Sequence, residues 1–230
     1  MNKRVLILTG SSEIIRNPLE TDKTMNEVFE LTLPSKQRYA KKHGYDLMTL
    51  RTFGTDKKYG FKDTDIGFLR AVRTFEMLEY YDIVMWVDAD SIITDDNYSI
   101  EKFELDEHNT FYASYDWIGK WSFSTGNFII QRTQHTDTFL NVFYNCAKQF
   151  PTEQDALNAI HRGSLPNSVI KVLEHNFLNA VPAPIMDTTC WTGRRPIYAP
   201  WDKKCFLAHL TGVSNNNRVK ILNDYFSEYL

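Results

Sequence analysis

Apolar positions along this chain fall into short continuous runs separated by longer stretches of helical spacing. Val5-Leu6-Ile7-Leu8 is the first run and reads as a buried strand. It opens into Thr9-Gly10-Ser11-Ser12, small residues that let a ligand approach the backbone. Thr24 to His43 places Val28, Leu31 and Ala40 among charges and predicts a helix stopped by Gly44, with Pro34 as a point of kinking or restart. Tyr45 to Leu50 predicts a second strand, and Phe61 to Thr64 a loop. Ile66 to Tyr80 predicts a strongly amphipathic helix whose apolar face is Phe68, Leu69, Val72, Phe75, Met77 and Leu78. Ile83-Val84-Met85-Trp86-Val87 follows at once, a run suited to a strand buried on both faces. Strand, helix, strand, helix, strand over the first 90 residues is the signature of a parallel sheet with crossover helices.

The second half changes character. Thr110–Tyr115 and Phe123–Gln131 predict strands joined through Asp116–Trp121, and Thr136–Gln149 and Glu153–Arg162 predict helices. Ile170–Leu173 and Asn179–Pro184 read as short strands or loop, Trp191–Trp201 as an aromatic, Pro-rich loop, and Phe206–Leu210 as a short strand. Val219–Leu230 predicts a closing helix. No repeat and no linker interrupts the chain. It reads as one α/β domain over 1–230, with a nucleotide-type half at 1–90 and a mixed half at 91–230.

Composition adds limits rather than direction. Apolar residues make up 43% and charged residues 24%, ordinary for a globular protein. The net charge of −3, with no basic run, leaves no nucleic-acid footprint. Cys146, Cys190 and Cys205 lack metal-ligand spacing and read as reduced thiols. No apolar stretch is long enough for a signal sequence or a membrane span. A soluble cytoplasmic chain is the expectation.

The candidate chemistry begins where the Ile83–Val87 run meets Asp88-Ala89-Asp90. Residues i and i+2 of a strand point the same way, and open α/β sheets bind ligands beyond the carboxyl ends of their strands. Two hard oxygen ligands there suit Mg²⁺ or Mn²⁺ carrying a phosphate. A solvated turn is the plainer reading of so short a motif. His209 ends another apolar run and could complete the site, favouring Mn²⁺. Gly212, three residues on, would let backbone N–H groups reach a diphosphate. Ser124-Thr125-Gly126-Asn127 could line a sugar-binding wall. Thr152-Glu153-Gln154-Asp155 reads as a capped helix start whose Gln154 and Asp155 could orient an acceptor hydroxyl.

Taken in order, Phe68-Leu69-Arg70, Val87-Asp88-Ala89-Asp90, Ser124-Thr125-Gly126-Asn127-Phe128, Glu153-Gln154-Asp155-Ala156-Leu157 and His209-Leu210-Thr211-Gly212 resemble the GT-A-fold glycosyltransferases. The likeness is nearest to glycosyltransferase family 34, looser to family 8, and spans nearly the whole chain. It implies a single-domain GT-A fold and a Mn²⁺- or Mg²⁺-dependent transfer from a nucleoside-diphosphate sugar, a UDP-sugar foremost, to a glycan or other hydroxyl acceptor. By this resemblance Asp88, Asp90 and His209 bind the metal, and Leu8, Thr9 and Gly10 lie against the nucleoside. Arg70 contacts the donor where the family commonly has Lys, and Asn127, Gln154 and Asp155 surround the transferred sugar and the acceptor. Ala89 lies within the donor motif, and Arg218 and Lys220 could add charge-assisted hydrogen bonds to the diphosphate. Eukaryotic members are usually membrane-anchored, and this chain shows no anchor.

Retention of anomeric configuration is the expected outcome, since no nucleophile is evident; an inverting enzyme would need a base, Asp155 first among candidates. Two other classes compete. Val87-Asp88-Ala89-Asp90-Ser91-Ile92 also resembles the nucleophile motif of haloacid-dehalogenase-type phosphatases, but the paired acids such enzymes need later in the chain are absent. A nucleotide- or glycan-binding module with a dead site would have little reason to keep three candidate ligands. A sugar nucleotidyltransferase would want a Gly-rich loop after the first strand.

Overall fold

The computed structural model describes residues 3–11, 24–62, 65–116, 119–163, 169–188 and 198–230. Its first half runs β1 (Val5–Gly10), α1 (Met25–His43), β2 (Asp46–Leu50), α2 (Ile66–Glu76), β3 (Ile83–Asp88) and β4 (Ser91–Ile93). The second half adds β5 (Phe111–Asp116), β6 (Gly119–Gln131), α3 (Thr136–Ala147), α4 (Glu153–Gly163), β7 (Ile170–Leu173), α5 (His175–Leu178), α6 (Ala183–Thr188), β8 (Leu207–His209) and α7 (Asn215–Tyr225).

Six strands form one sheet in the order β2-β1-β3-β6-β5-β7. β1 pairs parallel with β2 and β3, β6 pairs antiparallel with β3 and β5, and β7 pairs parallel with β5, so β6 alone runs against the others. This mostly parallel sheet, flanked by helices, matches the expected α/β architecture. β3 is buried on both faces, as its unbroken apolar run requires. Val84 and Trp86 pack into a core with α2, α3 and α4, while Ile83, Met85 and Val87 pack into another with Tyr39 and Phe206.

A second, two-stranded sheet pairs β4 antiparallel with β8, setting Ser91 opposite His209. It rests on a third apolar cluster that includes Val28 of α1 and Leu222 of α7. This sheet brings a residue from late in the chain to the end of β3, and the site depends on it.

Local chemistry explains most element ends. Thr24 caps α1 through a reciprocal capping box with Glu27, and Gly44 closes it in the left-handed conformation at φ 69°. Between these caps α1 passes Pro34 without interruption, its buried face running through Val28, Phe29, Thr32, Ser35, Lys36 and Tyr39. Tertiary packing of that face outweighs the hydrogen bond lost at Pro34. The helix after residue 66 gives way at Met77–Glu79 to a 3₁₀ turn. β6 begins at Gly119, earlier than expected.

Of the two readings of Asn179–Pro184, loop holds rather than strand: the stretch follows α5, its last two residues open α6, and its strand-like contact is an isolated bridge from Ala180 to Ala208. α7 starts four residues before the expected Val219, because the Ser214 hydroxyl accepts from the Asn217 N–H and caps it there. Ser12, Asp63, Thr64, Cys190 and most of the Trp191–Trp201 loop lie outside the described residues. Cys146 and Cys205 are free thiols. Among the described residues no helix is long and apolar enough to cross a membrane.

Lys36 is one departure from polar-out patterning on α1. It is fully buried on α1, donating from Nζ to Thr32 Oγ1 at 2.9 Å, and the Thr32 hydroxyl donates to the Ala89 carbonyl at 2.6 Å. Burial pulls its pKa down to about 7, against the opposing pull of Asp90 and Asp88. The unfolded chain therefore binds more protons than the folded one between about pH 7 and 10, so this lysine's penalty on stability is full below about pH 7 and fades as pH rises. Urea unfolding of the native chain at stepwise pH from 7 to 9 is expected to show stability rising. The same series on Lys36→Met is expected to lose that rise; an unchanged slope would mean Lys36 does not titrate there.

Candidate active site

The carboxyl ends of β1 and β3 lie side by side, with Gly10 paired to Asp88 in register. Beyond them opens a cavity of about 870 Å³, within the range that holds small-molecule ligands. Four helices turn their N-terminal ends to it: α1 with Thr24, Met25 and Asn26, α2 with Ile66 and Gly67, α4 with Glu153 and Gln154, and α7 with Asn215 and Arg218. Helix N-termini carry partial positive charge and free N–H groups, which favours an anionic ligand.

Three candidate ligands converge at the floor. One atom each from Asp88, Asp90 and His209 lies within 4.8 Å of the others. Asp88 ends β3, but Asp90 stands in the turn before β4, so a shared strand face is not what unites them. The β4–β8 pairing does. The Leu210 N–H donates to the Asp90 carbonyl at 2.9 Å and the His209 N–H to the Ala180 carbonyl at 2.8 Å, fixing the turn and the histidine together. His209 Nε2 then lies 3.5 Å from Asp90 Oδ1 and 3.9 Å from Asp88 Oδ2. On its other side, His209 Nδ1 meets Asn179 Oδ1 at 2.8 Å, and Asn179 Nδ2 donates to the Tyr115 carbonyl at 3.1 Å. With its amide oriented this way Asn179 accepts the Nδ1 proton, and the Nε2 edge of the ring faces the carboxylates.

Each acid at the site has an arginine. Arg70 Nη1 donates to Asp88 Oδ1 and Oδ2 at 2.5 and 2.7 Å, and its Nη2 donates to Glu153 Oε1. Arg218 Nε lies 3.0 Å from Asp90 Oδ2 and also donates to the Leu210 carbonyl. Burial alone would raise the pKa of Asp90, but Arg218 and His209 outweigh it and hold the carboxyl well below the usual range. Burial likewise opposes ionisation of Glu153, and Arg70 overcomes it.

The fold therefore gathers Gly10, Arg70, Asp88, Ala89, Asp90, Gln154, His209 and Arg218 around one cavity. Other candidates stand elsewhere. Leu8 is fully buried in the core, and Thr9, equally buried, donates its hydroxyl to the Val87 carbonyl at 2.6 Å. Asn127 sits behind Asp88: its Oδ1 accepts the Asp88 N–H at 3.0 Å and its Nδ2 donates to the Leu178 carbonyl at 3.0 Å, so its amide is consumed in holding the strand end. Asp155 is exposed and outside the cavity lining, bonded to Thr152 across the start of α4. Its place in the helix cap turns it away from the site that Glu153 and Gln154 face. Gly212 is an exposed turn residue at φ 76°, and Lys220 pairs with Asp224 on the outer face of α7.

Sequence reasoning gave Glu153, Trp86, Asn179 and Gly126 no role of their own. An acid in a helix's first turn looks like a cap residue, and Trp86 looks like core; neither carries a local signal. Gly126 has one, the small-residue run before β6. A Cβ there would lie 2.3 Å from His209 Cε1 and 3.1 Å from Asp88 Oδ2, so only glycine lets the ring approach.

A six-stranded, mostly parallel sheet with a small sheet completing an acidic site at its carboxyl edge is the GT-A fold. Solved structures similar to this chain include glycosyltransferases. One is a glycosyltransferase involved in glycosylation of the major capsid of the virus PBCV-1, with a TM-score of 0.64, 15% identity, and coverage of 96% of this chain and 98% of that one. Another is mouse xyloside xylosyltransferase 1, with a TM-score of 0.58, 9% identity, and coverage of 92% and 98%. A third is the galactosyltransferase LgtC, solved with donor and acceptor sugar analogs, with a TM-score of 0.53, 12% identity, and coverage of 98% and 100%. In sequence, residues 37–165 match the family described as "Protein of unknown function, DUF273", and the chain belongs to that family. None of the curated proteins compared matches it.

Two outcomes test this arrangement. Arg70→Met leaves Asp88 and the buried Glu153 without their cation, a change that typically costs about 3–5 kcal/mol. Adding Glu153→Gln is expected to restore part of that loss in a double-mutant cycle by urea unfolding; strict additivity would mean the pair is not coupled. Gly126→Ala is expected to displace the His209 ring, weakening divalent-ion binding about 10–100-fold by calorimetry, as disturbed ligand support does elsewhere. Unchanged affinity would show that the ring is not held against Gly126.

Proposed function

We propose that this chain is a metal-dependent glycosyltransferase, moving a sugar from a nucleoside-diphosphate sugar, with uridine as its nucleoside, to a hydroxyl of a glycan or similar acceptor with retention of anomeric configuration. The observation that carries the reading is the convergence of Asp88, Asp90 and His209 on the floor of a cavity large enough for such a donor. Two carboxylates and one imidazole suit Mn²⁺ or Mg²⁺, and the Asn179 contact presets the histidine as a ligand. A divalent ion held there supplies a Lewis acid for the departing diphosphate.

The chain's own residues do the rest. Arg218 and Arg70, on the cavity wall, stabilise charge gathering on the diphosphate. The bond from the sugar's anomeric carbon to the phosphate oxygen breaks, its electron pair passing to that oxygen. The acceptor oxygen forms the new bond on the same face, and its proton passes to the phosphate oxygen just released. No side-chain base is required. Glu153 and Gln154 face the cavity and orient the sugar and the incoming hydroxyl, the work expected of Gln154 and Asp155. Residues 1–90 supply Arg70, Asp88 and Asp90 and carry the nucleotide; residues 91–230 supply His209, Arg218 and Glu153 and complete the site. The phosphatase reading is less well served, because Arg70 pairs with both oxygens of Asp88 and draws on the charge that a nucleophilic aspartate would use.

With Mn²⁺ and a panel of nucleotide sugars, slow release of nucleoside diphosphate and free sugar is expected for one donor, and none with Asp90→Ala. With an acceptor, NMR is expected to show the donor's anomeric configuration kept. Turnover of simple phosphate monoesters that disappears in Asp88→Asn would hand the protein to the phosphatase class.

Glu153→Gln is expected to slow transfer about ten- to a hundredfold, the effect of losing a charged hydrogen bond of about 1.5–3 kcal/mol. Asp155→Asn is expected to stay within about twofold of the native rate, because a change on the exposed outer side of a helix cap does not reach the reacting groups. The reverse ranking, with an inverted product, would restore Asp155 as a base.

A further inference from the structure

β6 loses its ladder where it passes the site. Its pairing with β3 ends at Asn127, opposite Val87, and its pairing with β5 slips between Phe128, opposite Ala113, and Phe123, opposite Tyr115. Ser124, Thr125 and Gly126 are left without a registered partner on either neighbouring strand. Thr125 is 1% exposed, so its backbone N–H needs an acceptor. Gln154 supplies one: the Thr125 N–H donates to Gln154 Oε1 at 3.2 Å. Asn158, one turn further along α4, holds the helix in that place. Its Oδ1 accepts the Phe123 N–H and its Nδ2 donates to the Phe123 carbonyl, each at 3.1 Å.

The Thr125 bond decides which way the Gln154 amide points. A carboxamide has one accepting end and one donating end. Turned over, it would set its NH₂ against the Thr125 N–H, donor against donor, and strand a buried amide at a cost of about 1–3 kcal/mol. The oxygen is therefore spent on Thr125, which does not line the cavity, while the half-buried Gln154 does. Among the described residues no acceptor takes the Nε2–H groups of Gln154. Glu153, beside it, is the opposite kind of group, a carboxylate that Arg70 keeps ionised and that only accepts.

We propose that Gln154 meets the substrate as a hydrogen-bond donor, giving an N–H to an oxygen of the nucleotide sugar, and acts neither as a nucleophile nor as a proton acceptor. This inference rests on the glycosyltransferase reading of the preceding section.

Gln154→Glu tests it. The variant keeps one oxygen for the Thr125 N–H and turns the other, an acceptor, to the cavity. With Mn²⁺ and the UDP-sugar that the native chain hydrolyses, it is expected to be about ten- to a hundredfold slower than the native chain at about pH 8. The neighbouring Glu153 carboxylate raises the pKa of a second acid placed there. The deficit is therefore expected to shrink about tenfold or more as pH falls to about 5.5, because the protonated carboxyl regains a donor. A deficit that does not change with pH, or no deficit at all, would make Gln154 a structural tie between α4 and β6 and overturn the inference, leaving the transferase standing. Detection by intact mass of the sugar bonded covalently to Gln154 in the native chain would overturn it too. No hydrolysis of any UDP-sugar by the native chain would remove the glycosyltransferase reading itself, and the inference with it.

A measurement on the native chain does not depend on activity. In ²H/¹³C/¹⁵N-labelled protein, a scalar coupling across the hydrogen bond is expected between the Thr125 amide ¹⁵N and the Gln154 side-chain carbonyl ¹³C. Its absence, while the corresponding couplings along the β1–β3 ladder are seen, would leave the amide free to turn over and would overturn the inference.

Discussion

Three carboxylates crowd together at the carboxyl edge of the sheet, two of them buried, and the need to compensate them shapes everything around them. An uncompensated buried charge costs several kcal/mol, enough to consume much of a domain's net stability. Here Asp88 and Glu153 share the guanidinium of Arg70, and Asp90 takes that of Arg218. The two arginines come from helices far apart in the chain, α2 and α7. Closing the charges therefore requires β3, α2, α4 and α7 to be in place at once. The site and the fold are one cooperative object.

That compensation also prepares the site for what it would bind. An anion in this cavity would meet the two arginines and four helix N-termini that favour negative charge. The supporting bonds are rigid. Asn127 holds the Asp88 backbone, Asn179 holds the His209 ring, and Gly126 clears the space between them. A ligand set held from behind in this way loses little freedom on binding.

The likeness to glycosyltransferases at 15% identity or less shows how little of the sequence a fold requires. In this chain the fold rests on a strand buried on both faces that ends in a carboxylate, and on a small sheet that carries a histidine back to it. Val84 and Trp86 on one face of β3, and Met85 and Val87 on the other, supply the first through size and apolarity alone. Cores tolerate wide substitution while volume and pattern are kept.

Composition and periodicity were enough to settle the N-terminal alternation, the double burial of β3 and the Asp88/Asp90 pair at its end, because apolar runs and caps are local signals. The motif order also led to Arg70 and His209, and Arg218 was reached as a cation just after the His209 motif; all three line the cavity. Local signals failed where one residue serves two masters. Asp155 and Glu153 both look like first-turn acids of α4, and only the packing of α4 on α2 turns Glu153 inward to Arg70 and leaves Asp155 in the cap. Asn127 looked like a sugar-binding amide, until its two neighbours, the Asp88 N–H and the Leu178 carbonyl, claimed it. The pairing of β4 with β8, which sets Ser91 opposite His209 and closes the site, joins strands far apart in the chain. Its register is decided by what the assembled core will bury, which no local stretch of sequence contains.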